Sequence, residues 1–298
     1  MQDERRRRTQ LTVGLVVALA AVAIARPVWP IEVLHIEAAA RALQPGELVV
    51  LTITAPADAD MVRVTAFART VRAFRDDRQT WRALLGIDLL AKPGPTSAVV
   101  TARTPHGSVT ATHAFTVLAK QFPTRRLTVD PALVEPPPSE LARIERETAR
   151  TNSIYASPAP APLWAGTFMR PVGDPSNSRF GVRSIFNGRP GSPHTGADFL
   201  SGAGTPIKAP NAGRVRLAEN LYFSGNTVIV DHGLGLFSLF AHLSAFNVKE
   251  GDEVDTGELL GLVGATGRVT GPHLHWAVRA SGARVDPLSL LEVLGEKR

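Results

Sequence analysis

Residues 226–243 read NTVIVDHGLGLFSLFAHL, in which two runs of mainly β-branched, aromatic and other apolar residues flank a glycine-containing turn. Runs of strand length separated by a short Gly-rich segment are typical of a β-hairpin. Further glycine-bounded runs of the same kind surround this one, at 205–210, 213–217 and 272–279. No helical period of any length appears from residue 163 up to Pro287. The pattern therefore predicts a β domain at 163–294.

The amino-terminal half also carries short strand-like runs. Segments rich in Val and Thr follow turn signals such as Pro45-Gly46 and His106-Gly107, at intervals of ten or more residues. Short strands at such spacing predict a small, Ig-like β-sandwich over residues 30–121. No residues in this segment have the spacing of metal ligands. We therefore expect it to be a positioning or docking module.

Residues 122–162 differ in composition from both β segments. Three prolines at 136–138 precede a polar stretch, Ser139–Glu147, which predicts a helix with Ser139 as its N-cap. The sequence SPAPAP at 157–162 predicts a stiff, extended linker. We therefore predict a helical connector between two domains. The alternative is that this segment lies over a groove of the second domain.

The amino terminus predicts export. Four arginines, Arg5–Arg8, precede the uncharged run LTVGLVVALAAVAIA at 11–25, which ends in the small-x-small sequence Ala23-Ile24-Ala25. This arrangement is typical of a secretory signal peptide, and the apolar run is short for a membrane span, which needs about 20 residues. We therefore predict a signal peptide at 1–25, with an uncleaved signal anchor in the membrane as the alternative.

Composition and charge narrow the class of protein. The chain has 298 residues, no cysteine and a formal net charge of +6. The absence of cysteine excludes thiolate nucleophiles, zinc sites built on cysteine, and disulfides. No nucleic-acid partner is expected, because no long Lys/Arg cluster lies beyond Arg8 and an exported protein rarely meets nucleic acid. A polyanionic wall or membrane surface suits the mild positive charge, although simple solubility explains it equally well.

Candidate metal ligands fall in two short segments of the second domain. His194 and Asp198 lie on either side of Gly196, and residues two and four apart share one face of an extended strand. The same period puts His273 and His275 on one face of another strand. Both segments therefore present pairs of metal-binding side chains on a common face.

These segments meet the needs of a hydrolytic metal site. A catalytic zinc needs three His or carboxylate ligands and an open position for water. His194, Asp198 and His275 can supply the three ligands, with His242 and His273 nearby but unbound. A neutral histidine beside the metal could then take a proton from the water. None of these spacings is specific alone, and a cluster of satisfied polar side chains explains them equally well.

Residues 164–291 resemble the lysostaphin-type zinc metallopeptidases. The family's three motifs, H-x-G-x-D, aromatic-x-His-Leu and H-x-H, stand here as His194–Asp198, Phe240–Leu243 and His273–His275. Three flanking stretches also match, at 226–233, 251–254 and 261–267. The whole chain is similar to exported Gram-negative members of the family that have a β-rich amino-terminal domain.

The resemblance implies a fold, an activity and roles for five residues. The fold is a compact antiparallel β domain with a groove, and the activity is endopeptidase cleavage of the peptide cross-links of bacterial peptidoglycan in the periplasm. His194, Asp198 and His275 would bind one zinc ion per chain, while His242 and His273 would serve catalysis. The alternative is a wall-binding module without strong activity that regulates other peptidoglycan hydrolases. A regulatory protein partner is compatible with either function.

Two positions depart from the family pattern. The middle motif commonly begins with Tyr, whereas Phe240 supplies no hydroxyl, and Phe186 stands where relatives often have another Tyr. A phenylalanine cannot donate a hydrogen bond to a transition state. We therefore expect metal binding to be retained and turnover to be slower.

Overall fold

The computed structural model describes residues 34–76, 79–128, 135–177 and 179–295, all within one compact unit, Glu32–Arg298. The predicted signal peptide at 1–25 lies outside the described residues. Within those described, no helix is long and apolar enough to cross a membrane.

The amino-terminal half forms two four-stranded antiparallel sheets. In chain order the strands are β1 (His35–Ala40), β2 (Leu48–Thr54), β3 (Met61–Ala66), β4 (Arg69–Arg72), β5 (Phe74–Arg75), β6 (Thr80–Gly86), β7 (Gly94–Thr104) and β8 (Gly107–Val117). One sheet has the order β1-β2-β6-β5 and the other the order β4-β3-β7-β8. The prediction of strands in this region is confirmed.

The two faces of β2 contribute to different cores. Val49, Leu51 and Ile53 pack inside the amino-terminal half, whereas Leu48 and Val50 belong to the core of the carboxyl-terminal half. Successive side chains of a strand point to opposite faces, so a strand that is covered on both sides is apolar almost throughout. This explains why β2 lacks the polar alternation that an exposed face would give it.

The connector contributes one strand and one helix, β9 (Thr124–Leu127) and α1 (Pro138–Ala156). The helical connector is confirmed, but the predicted N-cap is wrong. The helix begins at Pro138, and its cap position is Pro137, which makes no side-chain hydrogen bond. Proline suits the first helical turn because the missing N–H would have no intrahelical partner there.

The carboxyl-terminal half adds eleven strands and a short helix. They are β10 (Arg183–Phe186), β11 (Arg189–Pro190), β12 (Gly196–Phe199), β13 (Pro206–Lys208), β14 (Gly213–Leu221), β15 (Gly225–Gly233), β16 (Leu236–Phe246), β17 (Glu253–Val254), β18 (Leu259–Val263), β19 (Leu274–Ala280), β20 (Ala283–Val285) and α2 (Pro287–Leu294). The hairpin predicted at 226–243 is confirmed as the antiparallel pair β15–β16.

One nine-stranded sheet holds most of these strands, in the order β12-β19-β16-β15-β14-β17. Off this path, β18 pairs with β16, β13 with β18, and β20 with β19. A second, three-stranded sheet has the order β11-β10-β9, and the connector strand β9 is parallel to β10. The connector therefore becomes part of the carboxyl-terminal half.

The large sheet has one buried face and one face that is partly open. Phe240 and Trp276 are fully buried on the first face and belong to the main core. On the opposite face, α1 covers the side chains of β14, β15 and β16 through Ile154, which packs against Leu217 and Ile229. Where β12 pairs with β19 this face carries the candidate site, and α1 contacts β19 farther along the strand, where Tyr155 lies against Arg279.

Candidate metal centre and groove

The three predicted ligands meet where β12 pairs with β19. Asp198 stands opposite His275 in the antiparallel register, and His194 lies just before β12. The Asp198 Oδ1 atom is 2.9 Å from His194 Nε2 and 3.0 Å from His275 Nδ1. One ligand atom from each residue lies within 4.8 Å of the other two. The structure thus brings these three side chains together around one point.

Their chemistry fits a divalent metal ion. Burial acts to raise the pKa of Asp198, but hydrogen bonds from His194 and His275 outweigh it and hold that pKa well below its usual range. Burial lowers the pKa of His275, which favours the neutral imidazole. A carboxylate and a neutral imidazole are the forms of these two side chains that bind a metal. In addition, His194 Nδ1 is buried without a hydrogen-bond partner.

Gly196 is required by the position of His275. A Cβ atom built on Gly196 would lie 2.4 Å from the carbonyl oxygen of Trp276 and 2.7 Å from the His275 ring. The sequence alone suggests that a residue without a side chain leaves room for an ion. The structure gives a more specific reason, because a side chain here would displace the candidate ligand His275.

His242 and His273 lie beside the three candidate ligands. The His242 ring is 4.9 Å from the His273 ring and 6.0 Å from the His275 ring, centroid to centroid. His242 Nδ1 is 3.0 Å from the carbonyl oxygen of Thr266, and His273 Nδ1 is 2.9 Å from that of Gly271. A carbonyl only accepts, so each Nδ1 carries the proton. The neutral form of each ring therefore keeps its lone pair on Nε2.

The backbone at His242 is held in an uncommon conformation. Its φ is +68°, in the left-handed region that a residue with a Cβ rarely adopts. Its N–H donates to the carbonyl of Ser224 at 2.9 Å, and the pairing of β16 with β18 shifts register just after it. Burial and the nearby His275 lower the pKa of His242 to about 4. The ring is therefore neutral at pH 7 and able to accept a proton.

Thr266 ties His242 to two strands. Its hydroxyl donates to the carbonyl of Leu243 at 2.8 Å and accepts from the N–H of Asn226 at 2.9 Å. Its own carbonyl accepts a hydrogen bond from His242 Nδ1 at 3.0 Å. Thr266 lies in the stretch 261–267, which the resemblance identified as a flank, but its positioning role was not predicted.

The site lies in a groove of about 1090 Å³. Its lining is basic, because it includes six arginines but, among the described residues, a single acidic side chain, the candidate ligand Asp198. The arginines are Arg125, Arg179, Arg189, Arg268, Arg279 and Arg284. A groove of this charge attracts anionic ligands.

The connector lines this groove at two places. Arg125 of β9 donates from Nε to Ser184 Oγ at 2.8 Å, and Tyr155 of α1 packs edge-to-face on Phe237 with ring centroids 5.3 Å apart. This arrangement agrees with the alternative that the connector lies against a groove. Nothing local in the sequence at 122–162 indicates which side chains would reach it, because these contacts join residues far apart in the chain.

The two phenylalanines that depart from the family pattern lie in different places. Phe240 is fully buried on the core face, where its ring is parallel to that of Trp276 at a centroid distance of 6.5 Å. It therefore faces away from the groove, and the expectation that its missing hydroxyl slows turnover is not supported. Phe186 does line the groove, so the expectation stands for that position.

A part-buried carboxylate and two imidazoles around one point, with two further histidines beside them in a groove, are typical of a metal-dependent hydrolase. Comparison with known proteins narrows this class. The model for peptidase family M23 matches residues 192–287. A solved structure from Pseudomonas aeruginosa, described as a candidate peptidase M23, is 36% identical with a TM-score of 0.65, and the match covers 85% of this chain and 96% of that one. The chain therefore belongs to peptidase family M23, which confirms the resemblance seen in the motifs.

Two curated relatives match the carboxyl-terminal half. The DD-carboxypeptidase/endopeptidase Mpg of Neisseria meningitidis is 44% identical over 97 residues, 33% of this chain and 22% of that protein. The peptidoglycan DD-endopeptidase ShyA of Vibrio cholerae is 40% identical over 97 residues, 33% of this chain and 23% of that protein. The chain thus matches less than a quarter of the length of either relative.

Proposed function

We propose that this chain is a zinc-dependent endopeptidase that hydrolyses the peptide cross-links of bacterial peptidoglycan. The observation that carries the proposal is the convergence of His194, Asp198 and His275, with two further histidines beside them, in an open groove. The names of the relatives from Neisseria and Vibrio support the reaction and the substrate class.

In the proposed mechanism, His194, Asp198 and His275 hold the zinc ion, with one ion per chain. When bound there, zinc supplies Lewis-acid chemistry, polarising the scissile carbonyl and lowering the pKa of a water molecule. The lone pair on His242 Nε2 takes a proton from the attacking water, since the neutral ring is already oriented by its Nδ1 hydrogen bond. His242, once protonated, would give that proton to the leaving amine, and the lone pair on His273 Nε2, which is 3.9 Å from Asp198 Oδ1, would accept the second proton of the water as the carboxylate product forms.

A digest of purified cell wall tests this proposal. The zinc-loaded full chain is expected to release un-cross-linked muropeptides, which mass spectrometry identifies together with the bond that is cut. His242→Ala and His273→Ala should bind zinc normally and lower the rate by a factor of about 100 or more, the usual contribution of a general acid–base group. Zinc-loaded wild-type protein that leaves cross-linked peptides intact would contradict the proposal.

The alternative function is a wall-binding module that regulates other hydrolases. It is less favoured because all five side chains that hydrolysis needs are present and lie together. If the digest leaves the wall intact and His242→Ala has no effect in cells, the regulatory function replaces the enzymatic one. Release of free terminal amino acids instead of un-cross-linked peptides would indicate a carboxypeptidase.

We also propose a location and a division of the chain. Residues 1–25 serve as a signal peptide into the periplasm, with retention as an inner-membrane anchor as the alternative. The β-sandwich at 30–121 and the connector at 122–162 precede the peptidase at 163–294. Because the connector contacts the groove, we expect that a regulatory protein partner would act through the connector. Fractionation of cells followed by mass spectrometry of the mature amino terminus tests the location and the cleavage.

A further inference from the structure

Arg279 lies on the floor of the groove, on the same face of β19 as His275. Three alternate residues of this strand, His275, Ala277 and Arg279, line the groove, because side chains two apart in a strand share a face. Four residues of strand separate the Cα atoms of His275 and Arg279 by about 13 Å. Arg279 is thus remote from the reacting groups but on the path of an extended peptide bound along the floor.

The connector helix holds the guanidinium of Arg279 in place. Its Cζ atom lies over the Tyr155 ring, 4.5 Å from the ring centre. This is a cation–π contact, which arginine makes more often than lysine. Tyr155 is itself fixed edge-to-face against Phe237, at 5.3 Å between ring centroids. Burial raises the pKa of Tyr155, so its hydroxyl is neutral beside the guanidinium. A stacked guanidinium loses less conformational freedom when it binds a ligand, because it is already ordered.

No carboxylate of the chain neutralises Arg279 within the part that the structure describes. Arg284 lies opposite Arg279 in the β19–β20 pair, and its charge is neutralised by Asp88. The Asp88 carboxylate accepts hydrogen bonds from Arg284 Nη2 at 2.6 Å and from Arg284 Nε at 3.0 Å. Arg279 itself makes a long hydrogen bond, 3.4 Å, to the carbonyl of Gly282 and a further one with the hydroxyl of Tyr155, and neither partner carries a charge. The groove floor therefore presents a fixed cation whose charge is available to a ligand.

We propose that Arg279, positioned by Tyr155, is a specificity-determining residue that binds a free carboxylate of the peptide substrate about 13 Å along the groove from His275. A planar guanidinium binds a carboxylate through two parallel hydrogen bonds, which neither an amide nor a lysine ammonium reproduces. The inference rests on the proposed function, since it assumes that a peptide occupies the groove.

Cleavage of two matched peptides tests this inference. One cross-linked peptide carries the free carboxylate at this distance from the scissile bond, and the other carries a carboxamide at the same atom. A hydrogen bond to a charged group contributes about 1.5–3 kcal/mol, so the wild type should favour the carboxylate by about tenfold or more in kcat/KM. Arg279→Gln should remove this preference mainly by raising KM, and Arg279→Lys should restore only part of it. Arg214→Gln is the matched control, since Arg214 is exposed outside the groove lining and pairs with Glu253.

Binding measurements separate this inference from the proposed function. Calorimetry with the metal-free full chain should give a lower Kd for the carboxylate peptide than for the carboxamide, and Arg279→Gln should make the two equal. Preferential binding without cleavage would overturn the endopeptidase activity and leave the Arg279 site intact. The inference would be overturned if the wild type cleaved both peptides equally well. It would also be overturned if Arg279→Gln lowered kcat/KM equally for both peptides and lowered the Tm. The latter result would mean that Arg279 only anchors α1.

Discussion

At the scale of single residues, the centre depends on side chains and backbone positions that carry no chemistry themselves. Gly196 leaves space for the His275 ring, and the carbonyl groups of Thr266 and Gly271 fix which nitrogen of His242 and His273 is protonated. Strain at His242 fits this account, because an unfavourable φ persists where surrounding contacts hold it. The hydrogen bonds around Thr266 supply those contacts.

Gly196→Ala should weaken zinc binding without unfolding the protein. The new Cβ would meet a backbone carbonyl at 2.4 Å and the His275 ring at 2.7 Å, so the ligand must shift. We expect the Kd for zinc to rise at least about tenfold, equivalent to about 1.4 kcal/mol, because metal affinity depends on ligand geometry. A competition titration with a metal chelator measures it. Gly202→Ala is the control, since a Cβ there meets nothing within 4 Å; equal zinc affinity in both variants would show that His275 tolerates the added methyl group.

At the scale of the elements, alternating apolar residues and turn signals predicted the strands well. The hairpin β15–β16 is an example, because both strands carry their pattern locally. The linker at 157–162 illustrates the limit. Its prolines indicated an extended spacer, yet Ala159 donates to Asp231 Oδ2 at 2.8 Å and accepts from the N–H of Leu234. Contacts between residues some 70 positions apart leave no mark on a local pattern.

The same reasoning applies to the candidate site. The motif spacing and the family resemblance predicted five residues that the structure brings together, His194, Asp198, His242, His273 and His275. Arg279 could have been predicted too, since it follows His275 at the strand period. Tyr155 could not, because its place in the groove depends on how α1 packs across the sheet.

One carboxylate of α1 should add a polar anchor to the apolar contacts that the helix makes through Ile154 and Tyr155. Glu147 accepts from Arg143 Nε at 2.6 Å and from the N–H of Tyr222 at 2.8 Å, which joins the helix to the turn between β14 and β15. Glu147→Ala leaves a part-buried N–H unpaired, so the free energy of unfolding should fall by about 1–3 kcal/mol in urea denaturation. Glu145→Ala changes an exposed residue of the same helix and should have almost no effect. Equal stability of the two variants would argue against this anchoring role.

At the scale of the whole molecule, the amino-terminal half is packed on the peptidase half through charge as well as through the apolar face of β2. Arg41 donates to both Glu47 and Asp286 at 2.8 Å, and Asp286 also caps α2 by accepting from the N–H of Leu288. Removing one member of such a buried set leaves an uncompensated charge. The sandwich is therefore a structural support for α2 and β20, in addition to any docking role.

The ion pair between Asp88 and Arg284 makes the joint between the two halves sensitive to acid. Burial acts to raise the pKa of Asp88, but hydrogen bonds from Arg284 and from backbone N–H groups outweigh it and lower the pKa to about 2. A carboxyl group whose pKa is lower in the folded state than in the unfolded chain stabilises the fold when it is ionised. This stabilisation is fully present when the pH is above 3.8, the pKa of Asp88 in the unfolded chain. That stabilisation is lost as the pH falls through the folded pKa, so the sensitive window runs from about pH 4 to about pH 2.

Asp88→Asn should therefore lower stability at neutral pH and remove this acid-sensitive contribution. The difference in the free energy of unfolding between wild type and Asp88→Asn should stay constant from pH 7 to about pH 4, then shrink by up to about 2 kcal/mol toward pH 2. Urea denaturation at intervals from pH 7 to pH 2.5 measures this change. Asp60→Asn provides the comparison, because Asp60 pairs with Arg103 in the same bidentate manner on the exposed surface, where water and salt screen the pair. A difference for Asp88→Asn that does not change with pH, or that matches Asp60→Asn, would mean that the Asp88–Arg284 pair does not hold the two halves together.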